Sequence, residues 1–317
     1  MIDRCGRNIN YMRISVTELC DLRCRYCMPE EGIKKRSHDE MMTAEETVAA
    51  AKAAVSLGID KIRITGGEPL VKRGIINLCG SIASIEGLKE LCMTTNGTML
   101  GKYAVSLKEA GVDRLNISLD TLDSKKYRYM TRTGELADVL EGIGAAREAG
   151  FERLKINTVL IGGFNDDEIE DFVELTETEP VEIRFIELMP IGGGMSFDEG
   201  EFISCREVLR RVPELEKTGG SEGVAEIYSL PGAKGRVGLI RPISCDFCSS
   251  CNKIRLTADG MLKPCLHLSE EISIRGMTEE EMAETMKQAI LNKPERRAEL
   301  GAGSPSLAGR DMNAIGG

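Results

Sequence analysis

Tryptophan is missing from this 317-residue chain, and histidine occurs only at His38 and His267. Two histidines leave almost no room for a multi-histidine metal site or a histidine-based triad. No segment approaches the ~18 uninterrupted apolar residues that a membrane span needs. The amino terminus, Met-Ile-Asp-Arg-Cys-Gly-Arg-Asn, carries no apolar signal region, so a cytoplasmic protein with no membrane partner is expected. A broad basic character is also lacking: the net charge is −10, and nucleic acid is therefore not expected as a partner. No Gly-x₄-Gly-Lys-Ser/Thr loop is present, so any bound phosphates must be held by side chains. Cysteine, in contrast, occurs eleven times. In a chain with no export signal, such an excess points to metal binding or chemistry rather than disulfides.

The length allows two domains, or one longer α/β barrel. Six strand candidates alternate with helical patterns over the first 190 residues: Tyr11–Val16, Lys61–Thr65, Leu91–Thr95, Val112–Leu119, Leu154–Leu160 and Val181–Glu187. One helix starts at Thr43 with Glu46 in the capping-box position and stops near Gly58; another opens at Asn165 with Glu168 and stops before Pro180. Strand–helix alternation predicts a parallel sheet with helical crossovers. Six units are fewer than the eight of a closed barrel, so the expected fold is α/β, a partial (open) β/α barrel of about six βα units. A flat doubly wound sheet is the alternative.

Polar residues recur along these strands at period two. Arg13 and Ser15, Lys61, Arg63 and Thr65, Asn116 and Ser118, Lys155 and Asn157, and Glu182 and Arg184 alternate with apolar neighbours. One face is thus apolar enough to carry helices, and the other suits a ligand-filled lumen; a half-exposed sheet with solvated charges gives the same pattern. Beyond residue 190 the texture changes. Gly192–Gly194 and Gly219–Gly223 punctuate it, short strands are expected at Val224–Ser229, Val237–Ile240 and Ile254–Thr257, and a helix begins at Thr278 with Glu281 capping. The expected division is a barrel over 1–190 and a C-terminal α+β extension over 191–317. The Gly-rich stretch 301–317 reads on composition as disordered.

Six cysteines form two groups. Cys20, Cys24 and Cys27 follow the first strand as C-x₃-C-x₂-C, and Cys248, Cys251 and Cys265 form the second. Three thiolates leave one iron of a cubane cluster without a protein ligand, open to a substrate. A structural zinc loop is the alternative for each. For the second group Cys245 could be the missing zinc ligand, since Cys245, Cys248 and Cys251 are evenly spaced. Cys5, Cys79, Cys92 and Cys205 are expected to pack in the interior.

The first triplet, followed one strand and one helix later by Gly66-Gly67-Glu68-Pro69, resembles the radical S-adenosylmethionine enzymes. The paired glycines allow close approach to the backbone, and a carboxylate at the strand's end can pair with a ligand ammonium. The resemblance narrows with Tyr-Met-Arg-Ile-Ser-Val-Thr (11–17), Lys-Ile-Arg-Ile-Thr-Gly-Gly-Glu-Pro (61–69), Thr-Thr-Asn-Gly (94–97), Asn-Ile-Ser-Leu-Asp (116–120), Cys-Asn-Lys-Ile-Arg-Leu-Thr (251–257) and a terminal Gly-Gly. Over almost the whole chain this is similar to the GTP 3′,8-cyclase family, which opens molybdenum cofactor biosynthesis. Other readings are another radical S-adenosylmethionine enzyme with an auxiliary cluster, such as a peptide-modifying one, and a non-enzymatic electron carrier.

The resemblance implies two [4Fe-4S] clusters and S-adenosyl-L-methionine as cofactors, on Cys20, Cys24 and Cys27 and on Cys248, Cys251 and Cys265. It implies S-adenosylmethionine contacts from Tyr26, Gly67, Glu68, Ser118 and Met189, with Tyr26 against the adenine. It implies GTP contacts from Arg13, Arg63, Thr94, Lys155, Arg184, Lys253 and Arg255, and a second cluster whose free iron meets the guanine. Catalysis would rest on Cys24, Arg255 and the tail glycines Gly316 and Gly317, which would reach into the site. A deoxyadenosyl radical would take hydrogen from C3′ of GTP, and the ribose radical would attack C8. The implied partners are GTP, a second copy of the chain, a low-potential flavodoxin- or ferredoxin-type donor, and cyclic pyranopterin monophosphate synthase as recipient of the product. The chain departs from the family at Lys253, where arginine is common; lysine keeps the charge and loses the planar fork.

Overall fold

The computed structural model describes residues 1–34, 36–192, 199–300 and 306–316. The first half alternates as the polarity pattern predicts. Strands β1 (Tyr11–Ser15), β2 (Lys61–Thr65), β3 (Glu90–Thr95), β4 (Arg114–Ser118), β5 (Leu154–Leu160) and β6 (Val181–Glu187) are separated by helices α1 (Ala44–Ser56), α2 (Ile75–Ala83), α3 (Leu100–Glu109), α4 (Ser124–Thr131), α5 (Leu136–Glu148) and α6 (Ile169–Thr178). The rest adds α7 (Arg206–Arg211), β7 (Glu216–Glu222), β8 (Ala225–Ser229), β9 (Arg236–Ile240), β10 (Lys253–Leu256), β11 (Met261–Lys263), β12 (Ile272–Ser273), α8 (Glu279–Leu291) and a single turn, α9 (Met312–Ile315).

Helix starts follow local chemistry. Thr43 Oγ1 accepts from the Glu46 N–H at 3.1 Å while the Glu46 carboxylate accepts from the Thr43 N–H at 2.8 Å, and Thr278 and Glu281 repeat the box before α8. The expected cap at Asn165 does not form. Asn165 instead bridges loops, accepting from the Ile161 N–H and donating to the carbonyls of Asp120 and Val159. Glu168 turns away to accept from Thr121 Oγ1 and the Leu122 N–H, so α6 begins at Ile169 after a 3₁₀ turn. Tertiary donors outcompete the local ones there.

The twelve strands form one sheet in the order β12-β11-β10-β1-β2-β3-β4-β5-β6-β9-β8-β7. Strands β1 to β6 are parallel neighbours, β10 extends the β1 edge in parallel and β9 extends the β6 edge in parallel. The two ends, β12 and β7, do not meet, so the barrel is open as expected. Both of its added edges come from beyond residue 190. The glycine-punctuated stretch at 219–223 proves to be largely strand: β7 crosses it with a register shift between Lys217 and Ser221. As an edge strand it tolerates glycine that a central strand would not.

The apolar strand face carries the helices. Ile62, Ile64, Met93, Leu115, Ile117, Ile183 and Phe185 are fully buried against them, each contributing roughly 1.5–3 kcal/mol. The polar face turns inward, where Arg63, Asn116, Lys155 and Glu182 are each at most 5% exposed. The alternation therefore marks an enclosed lumen rather than a solvated face. No helix among the described residues is long and apolar enough to cross a membrane.

Candidate active site

Parallel pairing sets the lumen's chemistry row by row. Arg255, Arg13 and Arg63 stand in register on the adjacent strands β10, β1 and β2. One residue pair earlier, Lys253, Tyr11 and Lys61 form a second row. Across β3 to β6 the rows run Thr94–Asn116–Lys155–Glu182 and Ser118–Asn157–Arg184. All of these side chains except Glu182 line a cavity of about 470 Å³, and Cys20, Cys24 and Cys27 open on it together with Cys248, Cys251 and Cys265. Cys245 is half-buried in a turn and does not line the cavity. Cys5, expected in the interior, is exposed because its N-terminal loop lies outside the barrel; Cys79, Cys92 and Cys205 are buried as expected.

Cys24 and Cys251 sit in opposite electrostatic surroundings, while Cys248 is raised by burial and by Asp246. Burial pushes the Cys24 thiol well above its ordinary value, and the acids Asp120 and Asp21 push it further. Burial likewise takes Cys27 up to about 12. Burial also raises Glu68 to about 7 and Asp120 to about 6. At the other end burial raises Cys251, but Lys293, Lys253 and Arg255 outweigh it and bring the thiol below its usual range. Burial and then Arg255 hold Arg13 low. On Tyr11, burial is overcome by Arg63, Arg13 and Lys253, so the phenol is lowered, and it accepts from Arg63 Nε at 2.5 Å. One end of the cavity thus favours a cationic ligand and the other an anionic one.

The first cysteine loop is held from α4. Arg23 and Arg25 donate backbone N–H groups to the carbonyls of Thr131 and Met130. Arg132 caps α4 at φ +63°, the one non-glycine positive φ among the described residues, and donates to the carbonyls of Arg23 and Met28. The glycines of Gly66-Gly67-Glu68-Pro69 have a specific purpose here. A Cβ on Gly66 would lie 2.6 Å from the Thr17 carbonyl oxygen, and one on Gly67 would lie 2.5 Å from that of Leu19. The chain leading to Cys20 itself makes the close approach. Glu68 is fully buried and accepts from the N–H groups of Leu70 and Asn96 and from Thr95 Oγ1. Gly67 lines the cavity and Glu68 lies behind it.

The second triplet is held by residues far away in sequence. Arg7 donates to the Cys248 carbonyl at 3.0 Å and to carbonyls of residues 293–295, and the Arg297 N–H reaches Cys248 Sγ at 3.5 Å. The tail closes the lumen. Asn313 donates to the Glu18 carbonyl and its N–H hydrogen-bonds the Cys27 thiol, and the Gly316 carbonyl accepts from Arg255 Nη1 at 2.9 Å. Gly317 lies outside the described residues, as do 193–194 and 301–305.

The donor set fits iron–sulfur clusters better than single ions. A tetrahedral zinc needs sulfurs about 3.8 Å apart, and no three His, Cys, Asp or Glu among the described residues converge to hold one metal ion. Three thiols spread around a shared cavity suit a wider cluster. Polar ligands also have a place: Thr65 Oγ1, Asn116 Oδ1 and Asn157 Oδ1 are buried on the lumen face with no hydrogen-bond partner. Such groups call for a bound polar molecule.

Most residues expected in the site do meet there. Tyr26 lines the cavity and donates from its hydroxyl to Asp120 Oδ2 at 2.8 Å; Ser118, Met189 and Thr94 also line it. Lys155 and Arg184 both pair with Glu182, which Arg236 joins, so their charge is shared with a carboxylate. Tyr11, Lys293, Arg297 and His267 line the cavity and were not singled out from sequence. Tyr11 heads a strand already read as a lumen wall, the one usable signal; the other three follow only from tertiary placement.

The Radical SAM superfamily profile matches residues 14–176 and the Molybdenum Cofactor Synthesis C profile residues 181–299. The chain is 51% identical over 325 aligned positions to the GTP 3′,8-cyclase of Alkaliphilus oremlandii, covering 100% of both chains. It is 52% identical over 322 positions to that of Peptoclostridium acidaminophilum, covering 100% of this chain and 98% of the relative. Among solved structures, Streptococcus suis SuiB bound to S-adenosylmethionine aligns with a TM-score of 0.63 at 15% identity, over 90% of this chain and 66% of SuiB, a likeness of fold alone. Together these findings show that the chain belongs to the radical S-adenosylmethionine superfamily and, within it, to the GTP 3′,8-cyclase family.

Proposed function

We propose that this chain converts GTP to 3′,8-cyclo-7,8-dihydro-GTP, the first step of molybdenum cofactor biosynthesis, with two [4Fe-4S] clusters and S-adenosylmethionine. The observation that carries the reading is the polarised cavity: one three-cysteine group among Asp21, Glu68 and Asp120, another whose Cys251 lies among Lys253, Arg255 and Lys293, both opening on one space. S-Adenosylmethionine carries an ammonium and a sulfonium and suits the acidic end. A nucleoside triphosphate suits the basic end.

Cys20, Cys24 and Cys27 would hold the first cluster, and Cys248, Cys251 and Cys265 the second. When bound, the first cluster and S-adenosylmethionine supply a hydrogen-abstracting radical. The chain's residues bind and orient. Tyr26, fixed by Asp120, offers a flat surface to the adenine, with Gly67, Ser118 and Met189 around the cofactor; Glu68 acts from behind the wall, bracing Thr95 and Asn96. Arg13, Arg63 and Arg255, three guanidiniums in register, grip the triphosphate with Lys253, and Thr94, Lys155 and Arg184 border the nucleoside. Gly316 closes over the substrate and excludes water. The protein acts in the cytoplasm as a homodimer, receives electrons from a flavodoxin- or ferredoxin-type donor, and passes its product to cyclic pyranopterin monophosphate synthase.

The test is anaerobic incubation of the reconstituted, reduced protein with S-adenosylmethionine, with and without GTP. GTP-dependent 5′-deoxyadenosine together with a cyclised nucleotide is expected. Deoxyadenosine no higher than in the GTP-free control would discard the reading.

A further inference from the structure

The tail that closes the lumen has little means of holding its own shape. Helix α9 is one turn, Met312–Ile315, and an isolated turn is unstable in water. Its seat must come from tertiary contacts. Arg310 is the sole cationic side chain from residue 301 to the end, and its guanidinium is clamped on both sides. Nη1 and Nη2 donate to the two oxygens of Asp259 at 3.0 and 2.9 Å, while Nε and Nη2 donate to Glu271 at 2.7 and 2.6 Å. Glu18 approaches Nη1 at 3.7 Å.

Those carboxylates are themselves fixed. Arg36 Nη1 pairs with Asp259 Oδ2 at 2.6 Å and Arg36 Nε with Glu18 at 3.4 Å. Lys263, fully buried, binds Glu271 at 2.9 Å and also donates to the Ala308 carbonyl. Three acids and three bases thus join the loop before Cys20, the turn after β10, the segment after β11, and the tail. Beyond the clamp, Arg255 donates to the Gly316 carbonyl at 2.9 Å and the Asn313 N–H meets the Cys27 thiol, and the other contacts are van der Waals or neutral. Ile315 packs with Ile191 and Ala308, Asn313 meets the Glu18 carbonyl, and Gly316 lies against Ser15 and Thr65.

We propose that Arg310 is the positioning residue of the tail: its two-sided grip on Asp259 and Glu271 sets where Asn313 and Gly316 stand between the two cysteine groups. This rests on the reading that the tail's end is part of the active site. The geometry requires the planar fork. A lysine ammonium is a point charge that cannot span two carboxylates bidentately, so charge alone does not restore the seat.

The experiment uses Arg310→Lys in the full-length, anaerobically reconstituted protein, with Asp259→Asn as a second variant that keeps Arg310 and removes one side of the grip. Hydrogen–deuterium exchange of peptides covering 306–317 reads the seat. Steady-state turnover reads its consequence. For Arg310→Lys, exchange at residues 313–316 is expected to rise at least about tenfold, reflecting local opening. The kcat is expected to fall about 100-fold, as a misplaced closing group implies, with KM for GTP within about twofold and more deoxyadenosine released per cyclised product. Asp259→Asn is expected to fall between Arg310→Lys and wild type. Wild-type exchange and kcat in Arg310→Lys would overturn the proposal. So would losses that merely track a fall in iron content or circular dichroism, which indicate general unfolding. The exchange measurement needs no GTP. If the wild-type protein failed to cyclise GTP, the proposed function would fall while the exchange arm still decided the seat.

Discussion

Arg255 and Gly316 are 61 residues apart in sequence, yet a guanidinium N–H of the first meets the carbonyl of the second at 2.9 Å inside the barrel. The contact joins the strand carrying the arginine row to the end of the chain, and it leaves no room for a side chain. Gly316 has φ +87°, and a Cβ there would lie 2.3 Å from Thr65 Oγ1 and 3.0 Å from Ser15 Cβ. Gly316→Ala is therefore expected to displace the tail end, with roughly 100-fold lower kcat and unchanged iron content. Steady-state kinetics beside an iron assay checks this; normal turnover would mean that the tail end is idle.

The two cysteine groups are expected to fail separately. Cys24→Ala should lose the iron of one cluster and abolish S-adenosylmethionine cleavage. Cys265→Ala should lose the iron of the other, retain some cleavage and lose cyclisation. Iron and sulfide content with EPR of the reduced variants separates the two cases. Full product formation by Cys265→Ala would contradict a substrate-binding role for the second group.

Lys253 stands beside the arginine row with its ammonium 5.6 Å from the Tyr11 ring centroid. Burial lowers it to about 8, so it is mostly charged at neutral pH and gives up that charge as pH rises through about 8. Arginine would stay charged and add a planar fork. Lys253→Arg is expected to tighten GTP binding about three- to tenfold, in line with one added hydrogen bond of ordinary net strength, about 0.5–1.5 kcal/mol. Equilibrium dialysis against GTP measures it, and unchanged or weaker binding would show that another donor already fills that position.

How far the sequence reached can be read from particular residues. The lumen wall was legible because side chains alternate across a strand, and Arg63 between Ile62 and Ile64 can only face away from the helices. The cysteine loops were legible because their ligands lie close in sequence. The row Arg255–Arg13–Arg63 was not, because it depends on β10 entering beside β1, a register between segments some 240 residues apart. Arg7 and Arg297, which hold the second cysteine loop, carry no local signal. Glu168 looked like a helix cap because its competitors, Thr121 and Leu122, meet it only in the folded chain.

The Asp259–Arg310–Glu271 cluster makes stability depend on pH in a direction that can be worked out. Burial acts to raise Asp259, but Arg310, the Thr257 hydroxyl and Arg36 outweigh it, so its carboxyl lies below the ordinary range; Glu271 is lowered in the same way by Arg310 and Lys263. A carboxylate lowered in the folded state stabilises fully above its unfolded pKa, about 3.9 for Asp and 4.3 for Glu. It loses that stabilisation as pH falls through the folded value. Asp259→Asn is therefore expected to cost on the order of 2 kcal/mol at pH 6, and the gap to wild type should stay level down to about pH 5 and close below about pH 4. Urea unfolding of both proteins in parallel, under argon, gives the difference at each pH and cancels the acid lability of any cluster. A gap that stays constant to pH 3 would mean that Asp259 acts by shape rather than by charge.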